Sequence, residues 1–150
     1  MRYLLVDRII ALEPGNKITG VKNVAMSEDF LEYHFPKRPI MPGIMLLEAL
    51  VQLSGWLEAA SSDFEKWFLL SKVSKCNFYG MVLPGDQVEM RVSVSPAPSH
   101  DLKIYRGAGE VKGKRVIKVE FQGNLIILET IEEVEEQKRF FEVLTRKIRY

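Results

Sequence analysis

Cysteine, histidine and long apolar runs are scarce in this chain of 150 residues. The single cysteine, Cys76, excludes an intrachain disulfide, and two histidines are too few for a Cys/His metal cluster. The formal net charge of +1 gives no reason to expect nucleic acid or a membrane surface as a partner. No apolar run reaches the roughly 18 residues of a membrane span, so no membrane-spanning helix is expected. Asp7 and Arg8 interrupt the first apolar stretch, which argues against a secretory signal peptide and favours the cytoplasm.

The first third of the chain predicts a hairpin followed by a stiff loop. Segments 3–12 and 17–26 are apolar or partly alternating, and they flank the turn signal Glu13-Pro14-Gly15-Asn16. Segment 27–31 is typical of one short helical turn. Three prolines then fall within residues 36–42, which rules out regular structure there.

The rest of the main body predicts one buried helix and several strands. Segment 44–60 contains strong helix formers and is apolar nearly all round, as in a helix buried on most sides. Strands are predicted at four later segments, namely 67–78, 88–94, 102–111 and 116–128. A curved antiparallel sheet wrapped around the one apolar helix would cover it. The predicted fold class is therefore α+β, a hot-dog fold.

The tail predicts an additional helix. Apolar residues recur at helical spacing in 129–149, acidic residues crowd its start, and basic residues crowd its end, which suits the helix dipole. We therefore divide the chain into a hot-dog body, 1–128, and a helical extension of the same domain, 129–150. We expect this helix to pack on its own or a sister subunit. A surface that recruits another protein is the alternative.

Four residues are candidates for chemistry. Glu48 lies one turn into the apolar helix, where a buried carboxylate is costly unless it has a partner or a task; the alternative is that it points out through a polar gap. Gln52 is four residues further on, hence on the same face. His34 stands in the proline-held loop, which is a good mount for a base. Gly43 opens the helix, where backbone N–H groups lack intrahelical partners and can polarise a carbonyl. The plainer interpretations are that His34 is a solvated histidine and that Gly43 only forms a turn into the helix. The other histidine, His100, is expected to be solvated.

The run HFPKRPIMPGIMLLEALVQ, residues 34–52, resembles the signature of the β-hydroxyacyl-ACP dehydratases of fatty-acid synthesis, the FabZ/FabA type. Segments 4–8 and 13–15 are similar to that family's opening hairpin, and 83–86 resembles its later Pro-Gly-Asp turn. The resemblance covers about residues 3–128. Departures from the family pattern are Tyr33, Lys37, the stretch 78–81 and the added tail helix.

The resemblance implies a function and roles for specific residues. It implies removal of water from 3-hydroxyacyl-ACP thioesters, with His34 as the catalytic histidine, Glu48 as its acidic partner and the N–H of Gly43 on the thioester carbonyl. From the chemistry of the reaction we assign His34 as the base and Glu48 as the acid, which Gln52 supports. It implies no metal or cofactor, a homodimer with shared active sites that often assembles into a hexamer, and an acyl carrier protein as partner. Lys37 and Arg38 are candidates for contact with that carrier. The alternative interpretation is that they are solvated charges of the loop.

Two other functions stay open on the sequence. One is another hot-dog thioester enzyme, an acyl thioesterase or an enoyl-CoA hydratase, because fold does not determine reaction. The other is a non-catalytic acyl-binding or scaffold protein that docks through its tail helix. The presence of both His34 and Glu48 favours the dehydratase.

Overall fold

The computed structural model describes residues 3–146, and within them a six-stranded antiparallel sheet accompanies two α-helices. In chain order, the elements are β1 (Arg8–Glu13), β2 (Lys17–Asn23), α1 (Gly43–Ser61), β3 (Lys66–Phe78), β4 (Gln87–Ser95), β5 (Leu102–Val111), β6 (Lys114–Ile127) and α2 (Val134–Thr145). The strand order across the sheet is β1-β2-β4-β5-β6-β3. The predicted hot-dog fold is confirmed, because one antiparallel sheet, with β1 and β3 as its edges, packs against α1 through the strands β2 to β6.

The helix α1 fills the centre of the fold. Its buried side chains occur on most of its circumference, as its apolar sequence predicts. By length and composition α1 is apolar enough to cross a membrane, but 61% of its apolar window is buried inside the fold, which is typical of a core helix. On the sheet side the core continues as an aromatic cluster. The ring of Tyr105 lies 4.7 Å from that of Phe68 and 5.6 Å from that of Phe121.

The predicted first strand begins later than expected. Tyr3 to Asp7 is not strand; instead the N–H of Leu5 donates to Oε1 of Gln52 on α1 at 3.0 Å. The local pattern of 3–12 is apolar enough for a strand, but the helix carboxamide of Gln52 binds the backbone at Leu5. The chain joins the sheet from Asp7, whose N–H donates to the carbonyl of Val21 on β2 at 2.8 Å. The hairpin β1–β2 and the short 3₁₀ turn at Asp29–Leu31 are confirmed.

The tail helix is confirmed in kind but not in its bounds. A 3₁₀ turn occupies Leu128–Thr130, and α2 begins only at Val134. It ends at Thr145 because Arg146 takes a left-handed conformation with φ of 49°. The predicted basic end beyond Arg146 lies outside the described residues. As expected, α2 packs on its own subunit, where Phe141 and Leu144 are buried.

The buried acid of α1 is Glu58, which the sequence analysis did not single out. The residue is 5% exposed. Its Oε1 accepts a hydrogen bond from the hydroxyl of Tyr105 and lies 3.1 Å from Nζ of Lys103. This carboxylate thus has the donors that a buried charge requires. A second acid in an apolar helix was the available signal, but its partners lie about 45 residues away on β5.

Candidate active site

The proline-rich loop before α1 is held by backbone hydrogen bonds rather than by regular structure. The N–H of Ile40 donates to the carbonyl of His34 at 2.8 Å, and Phe35 and Arg38 exchange two hydrogen bonds of 3.1 and 3.0 Å. The N–H of Met41 donates to the carbonyl of Val82 at 2.8 Å. The loop is therefore tied to the segment that enters the Pro-Gly-Asp turn, as a rigid mount requires.

These contacts present His34 as a half-buried imidazole in a defined orientation. Its Nδ1 lies 2.9 Å from the carbonyl oxygen of Ile40, and the ring of Phe35 stacks on it at 4.3 Å. A carbonyl oxygen can only accept, so Nδ1 carries the proton and donates. In the neutral ring, Nε2 then keeps its lone pair, which is what a general base needs.

Glu48 does not have the environment that the sequence predicted. Its side chain is exposed in the subunit, so the prediction of a buried carboxylate is wrong for this chain taken alone, and the alternative that it points outwards is correct. The physical reason is its place on α1, on the face that the curved sheet leaves open. Its Oε1 accepts a 3.0 Å hydrogen bond from Nε2 of Gln52, as the four-residue spacing predicted.

Gly43 is the first residue of α1, at the end where helical N–H groups lack intrahelical acceptors. A Cβ at this position would lie 2.8 Å from Cε1 of Phe78, the last residue of β3. The glycine therefore lets an aromatic ring approach the helix start closely. The sequence analysis anticipated close approach of a ligand here and missed the ring.

The structure brings Glu48 and Gln52 together but does not join them to His34. Among residues 3–146, no hydrogen bond or ion pair links the His34 and Glu48 side chains. Lys37 and Arg38 are both exposed beside His34. His100 is exposed, which confirms that it is solvated.

Two further kinds of reactive site are a metal site and a cysteine nucleophile. No set of three or more His, Cys, Asp and Glu side chains in this range is placed to hold a metal ion. Burial raises the pKa of the Cys76 thiol on β3, which disfavours the thiolate that a cysteine nucleophile needs.

A groove of about 820 Å³ crosses the opposite face of the sheet and contains none of the candidate residues. Its basic side chains come from five strands and are Lys17, Lys75, Arg91, Arg106 and Lys118. Some are neutralised locally, as where Arg91 contacts Glu89 at 2.7 Å. A polar outer face of this kind is normal for an antiparallel sheet that covers its core on one side.

Comparison with known proteins identifies the scaffold. The family model described as a FabA-like domain matches residues 1–120. This chain belongs to the FabA-like family. The curated 3-hydroxyacyl-acyl-carrier-protein dehydratase FabZ of Caldanaerobacter subterraneus is 42% identical over 118 residues, which are 78% of this chain and 77% of that protein. The FabZ of Geobacter metallireducens is 37% identical over 123 residues, which are 80% and 81% of the two chains.

Solved structures agree with the FabA-like fold at low sequence identity. A hypothetical thioesterase from Streptococcus pneumoniae, solved with coenzyme A, matches with a TM-score of 0.63 and 15% identity, over 80% of this chain and 85% of that one. The dehydratase heterocomplex ApeI:P from Xenorhabdus doucetiae matches with a TM-score of 0.56 and 15% identity, over 78% and 95% of the chains. The helix α2 lies beyond the residues that the FabA-like model matches.

Proposed function

We propose that this FabA-like protein is a lyase that removes water from (3R)-3-hydroxyacyl-ACP thioesters and forms trans-2-enoyl thioesters in the biosynthesis of fatty acids or related lipids. The FabZ relatives, 37–42% identical over most of the chain, support this reaction. The observation that carries the assignment is the hydrogen bond from Nδ1 of His34 to Ile40, which leaves Nε2 available as a base.

In the proposed mechanism, Nε2 of His34 removes the α-proton of the substrate. The electron pair of that C–H bond forms the double bond between the α- and β-carbons as the bond to the β-hydroxyl breaks. Glu48 donates a proton to the departing hydroxyl, so water leaves, and Gln52 holds the carboxyl. Transfer of the proton from His34 back to Glu48 restores both groups. The N–H of Gly43 stabilises the charge that develops on the thioester oxygen.

The two acid–base groups are proposed to meet across a homodimer, His34 of one subunit facing Glu48 of its partner. Glu48 is exposed and unconnected to His34 within the subunit, which supports this arrangement. Exposed apolar side chains lie beside the candidate residues, as an interface requires. Phe35 stacks on His34, and Phe78 lies against Gly43 at the start of the helix that carries Glu48. If a second subunit buries this surface, it would also cover Glu48. The proposal includes further assembly of the dimers into a hexamer.

The proposal includes a partner and a location. The substrate is carried on the phosphopantetheine of an acyl carrier protein, whose acidic surface would meet Lys37 and Arg38 beside the site. The reaction as written needs no cofactor beyond that carrier, and the protein is proposed to act in the cytoplasm.

The test is turnover of a 3-hydroxyacyl thioester by the wild type and by His34→Ala and Glu48→Gln. Each variant is expected to lose about 100- to 10,000-fold in kcat, the usual contribution of an acid–base group. The product is followed by the absorbance of the conjugated thioester. A free acid from the wild type would instead identify a thioesterase, and tight binding without turnover a non-catalytic protein. Near wild-type rates for both variants would contradict the assigned roles.

The same two variants test whether the sites are shared. If His34 and Glu48 act across the interface, a heterodimer of the two variants contains one intact site and one doubly defective site. Random mixing of equal amounts would then restore about one quarter of the wild-type activity. If both residues act within one subunit, no dimer contains an intact site and mixing restores nothing.

A further inference from the structure

One face of α1 forms a continuous line from the candidate acid to the far end of the fold. Glu48, Gln52 and Trp56 follow at four-residue spacing, so their side chains lie on the same side of the helix. The two edges of the sheet approach this face from opposite sides. Ahead of β1, the carbonyl of Tyr3 accepts a 2.8 Å hydrogen bond from Gln52, and on β3 the ring of Trp67 stands edge-on to Trp56 at 5.1 Å.

The end of this face at Trp56 is covered by α2. The ring of Phe140 lies 5.6 Å from that of Trp56, and the neighbouring Phe141 lies 5.9 Å from it. Beside them is a cavity of about 300 Å³ that is partly open to solvent, since Tyr3 and Leu4 in its lining are exposed. Its apolar lining is Leu4, Val6, Trp56, Trp67 and Phe140. Phe141 does not line it. The part of the line that contains Glu48 lies outside this cover.

The polar groups at the cavity have partners within the chain. The amide of Gln52 donates to Tyr3 and to Glu48 and accepts from Leu5. Gln137, on α2, donates to a carboxylate oxygen of Glu132 at 3.4 Å. An apolar ligand in the cavity would therefore not leave the carboxamide of Gln52 without hydrogen-bond partners. The aromatic rings would bind such a ligand by burial of apolar surface.

The direction of a bound acyl chain is inferred from Glu48, and this step rests on the proposed function. With the β-hydroxyl held at Glu48, the face of α1 that continues from this residue is the one that contains Gln52 and Trp56. The carbons beyond the β-position then continue towards Gln52 and Trp56.

We propose that the cavity under α2 receives the distal end of the acyl chain, and that Phe140 sets the longest chain that the enzyme accepts. Phe140 is half-buried and comes from the helix that lies beyond the FabA-like match. Its ring stands against Trp56, the last residue of the line, and lines the cavity. Chain-length preference is thus assigned to an element that is added to the FabA-like core.

The experiment compares kcat/KM on 3-hydroxyacyl thioesters of increasing chain length for the wild type, Phe140→Ala and Phe140→Trp. Phe140→Ala is expected to raise the ratio of long-chain to short-chain kcat/KM by about 10-fold or more, the effect of space for one or two methylenes. Phe140→Trp is expected to lower that ratio. Thermal unfolding identifies any variant that does not fold, and Phe140→Leu then replaces Phe140→Ala.

Phe141→Ala is the matched control because it removes an identical ring from the next position of α2. Phe141 is more deeply buried than Phe140, so its loss loosens α2 at least as much without opening the cavity. An unchanged ratio in Phe140→Ala, or an equal shift in Phe141→Ala, would overturn the inference. A wild type inactive on every chain length would instead contradict the proposed function.

Discussion

Nε2 of Gln52 lies 3.0 Å from Oε1 of Glu48 and 2.8 Å from the carbonyl oxygen of Tyr3, so one amide group holds the candidate acid and the N-terminal segment together. The other atom of the carboxamide, Oε1, accepts from the N–H of Leu5 at 3.0 Å. Gln52 is thus a positioning residue, because the same Nε2 group bonds to Glu48 and to the N-terminal segment.

Gln52→Glu is predicted to lower kcat about 10-fold and to cost about 1 kcal/mol of stability, the usual net contribution of one hydrogen bond. The new carboxylate still accepts from Leu5, but it no longer donates to Glu48 or to the carbonyl of Tyr3. Gln52→Ala loses all three hydrogen bonds, and is expected to lower kcat similarly and to lower stability further. Steady-state kinetics and denaturant unfolding measure the two effects. A Gln52→Glu variant with wild-type kcat would show that Glu48 needs no such support.

Gly43→Pro tests the N–H group itself. Proline is tolerated at the first position of a helix, and Pro42 before it already has the extended ψ of 133° that a following proline favours. The substitution therefore removes one backbone donor and leaves α1 in place. We predict that kcat falls about 100- to 1000-fold, as for the loss of an oxyanion donor.

Gly43→Ala is the control for that substitution, because it adds the Cβ that contacts Phe78 but keeps the N–H. Its loss of kcat is expected to be smaller, and circular dichroism should show the same helix content in both variants. Equal kcat values for the alanine and proline variants would mean that the N–H of Gly43 does not act on the substrate.

The buried pair of Tyr105 and Glu58 predicts loss of stability at alkaline pH. Burial, followed by the charge and hydrogen bond of Glu58, raises the pKa of Tyr105 above its ordinary value. In the unfolded chain the phenol ionises near pH 10, whereas the folded protein retains the proton above that pH. The stabilisation is therefore fully present below about pH 10 and declines as the pH rises further, by up to about 1.4 kcal/mol per pH unit.

Urea unfolding at a series of alkaline pH values measures this decline. Tyr105→Phe should be less stable at neutral pH by about 1 kcal/mol, because Glu58 loses a donor, and its decline above pH 10 should be shallower. Tyr33→Phe serves as the control because Tyr33 is 77% exposed. Identical slopes for wild type and Tyr105→Phe would contradict the prediction.

Reversal of charge at Lys37 and Arg38 is predicted to weaken carrier docking and to spare the chemistry. The double variant Lys37→Glu/Arg38→Glu should raise KM for an acyl-carrier substrate about 10-fold, roughly 1.4 kcal/mol for two exposed charges. On a short N-acetylcysteamine thioester it should behave as the wild type.

The matched control reverses Lys75 and Lys118, which lie in the groove on the opposite face of the sheet. That double variant should leave both KM values unchanged. If it raises KM for the carrier substrate and the Lys37/Arg38 variant does not, the carrier docks on the outer face of the sheet instead.

Much of the fold was predictable because its elements are specified by short-range patterns. The apolar helix predicted for 44–60 is observed as Gly43–Ser61, and the strand predicted for 102–111 has the observed bounds. The proline spacing in 36–42 correctly excluded regular structure. The errors are at ends: the first strand and α2 both start later than predicted, because contacts with distant residues and not local periodicity decide where an element begins.

The candidate site was predictable in its residue types and only partly in its environment. The spacing of Glu48 and Gln52 was sufficient to predict their hydrogen bond, since it depends only on helix geometry. The exposure of Glu48 was not, because it depends on which face of α1 the sheet leaves open. The ring of Phe78 over Gly43 is 35 residues away in the chain, and no local pattern indicates it.

By itself, the sequence determined the central helix, the sheet strands, the stiff loop that carries His34 and the family to which the chain belongs. All of these follow from patterns within a few residues of one another. The tertiary structure alone decided that Glu48 faces outwards, that Glu58 is the buried acid, and that α2 packs against Trp56. These relationships join residues far apart in the chain, and the curvature of the sheet around one helix determines which of them meet.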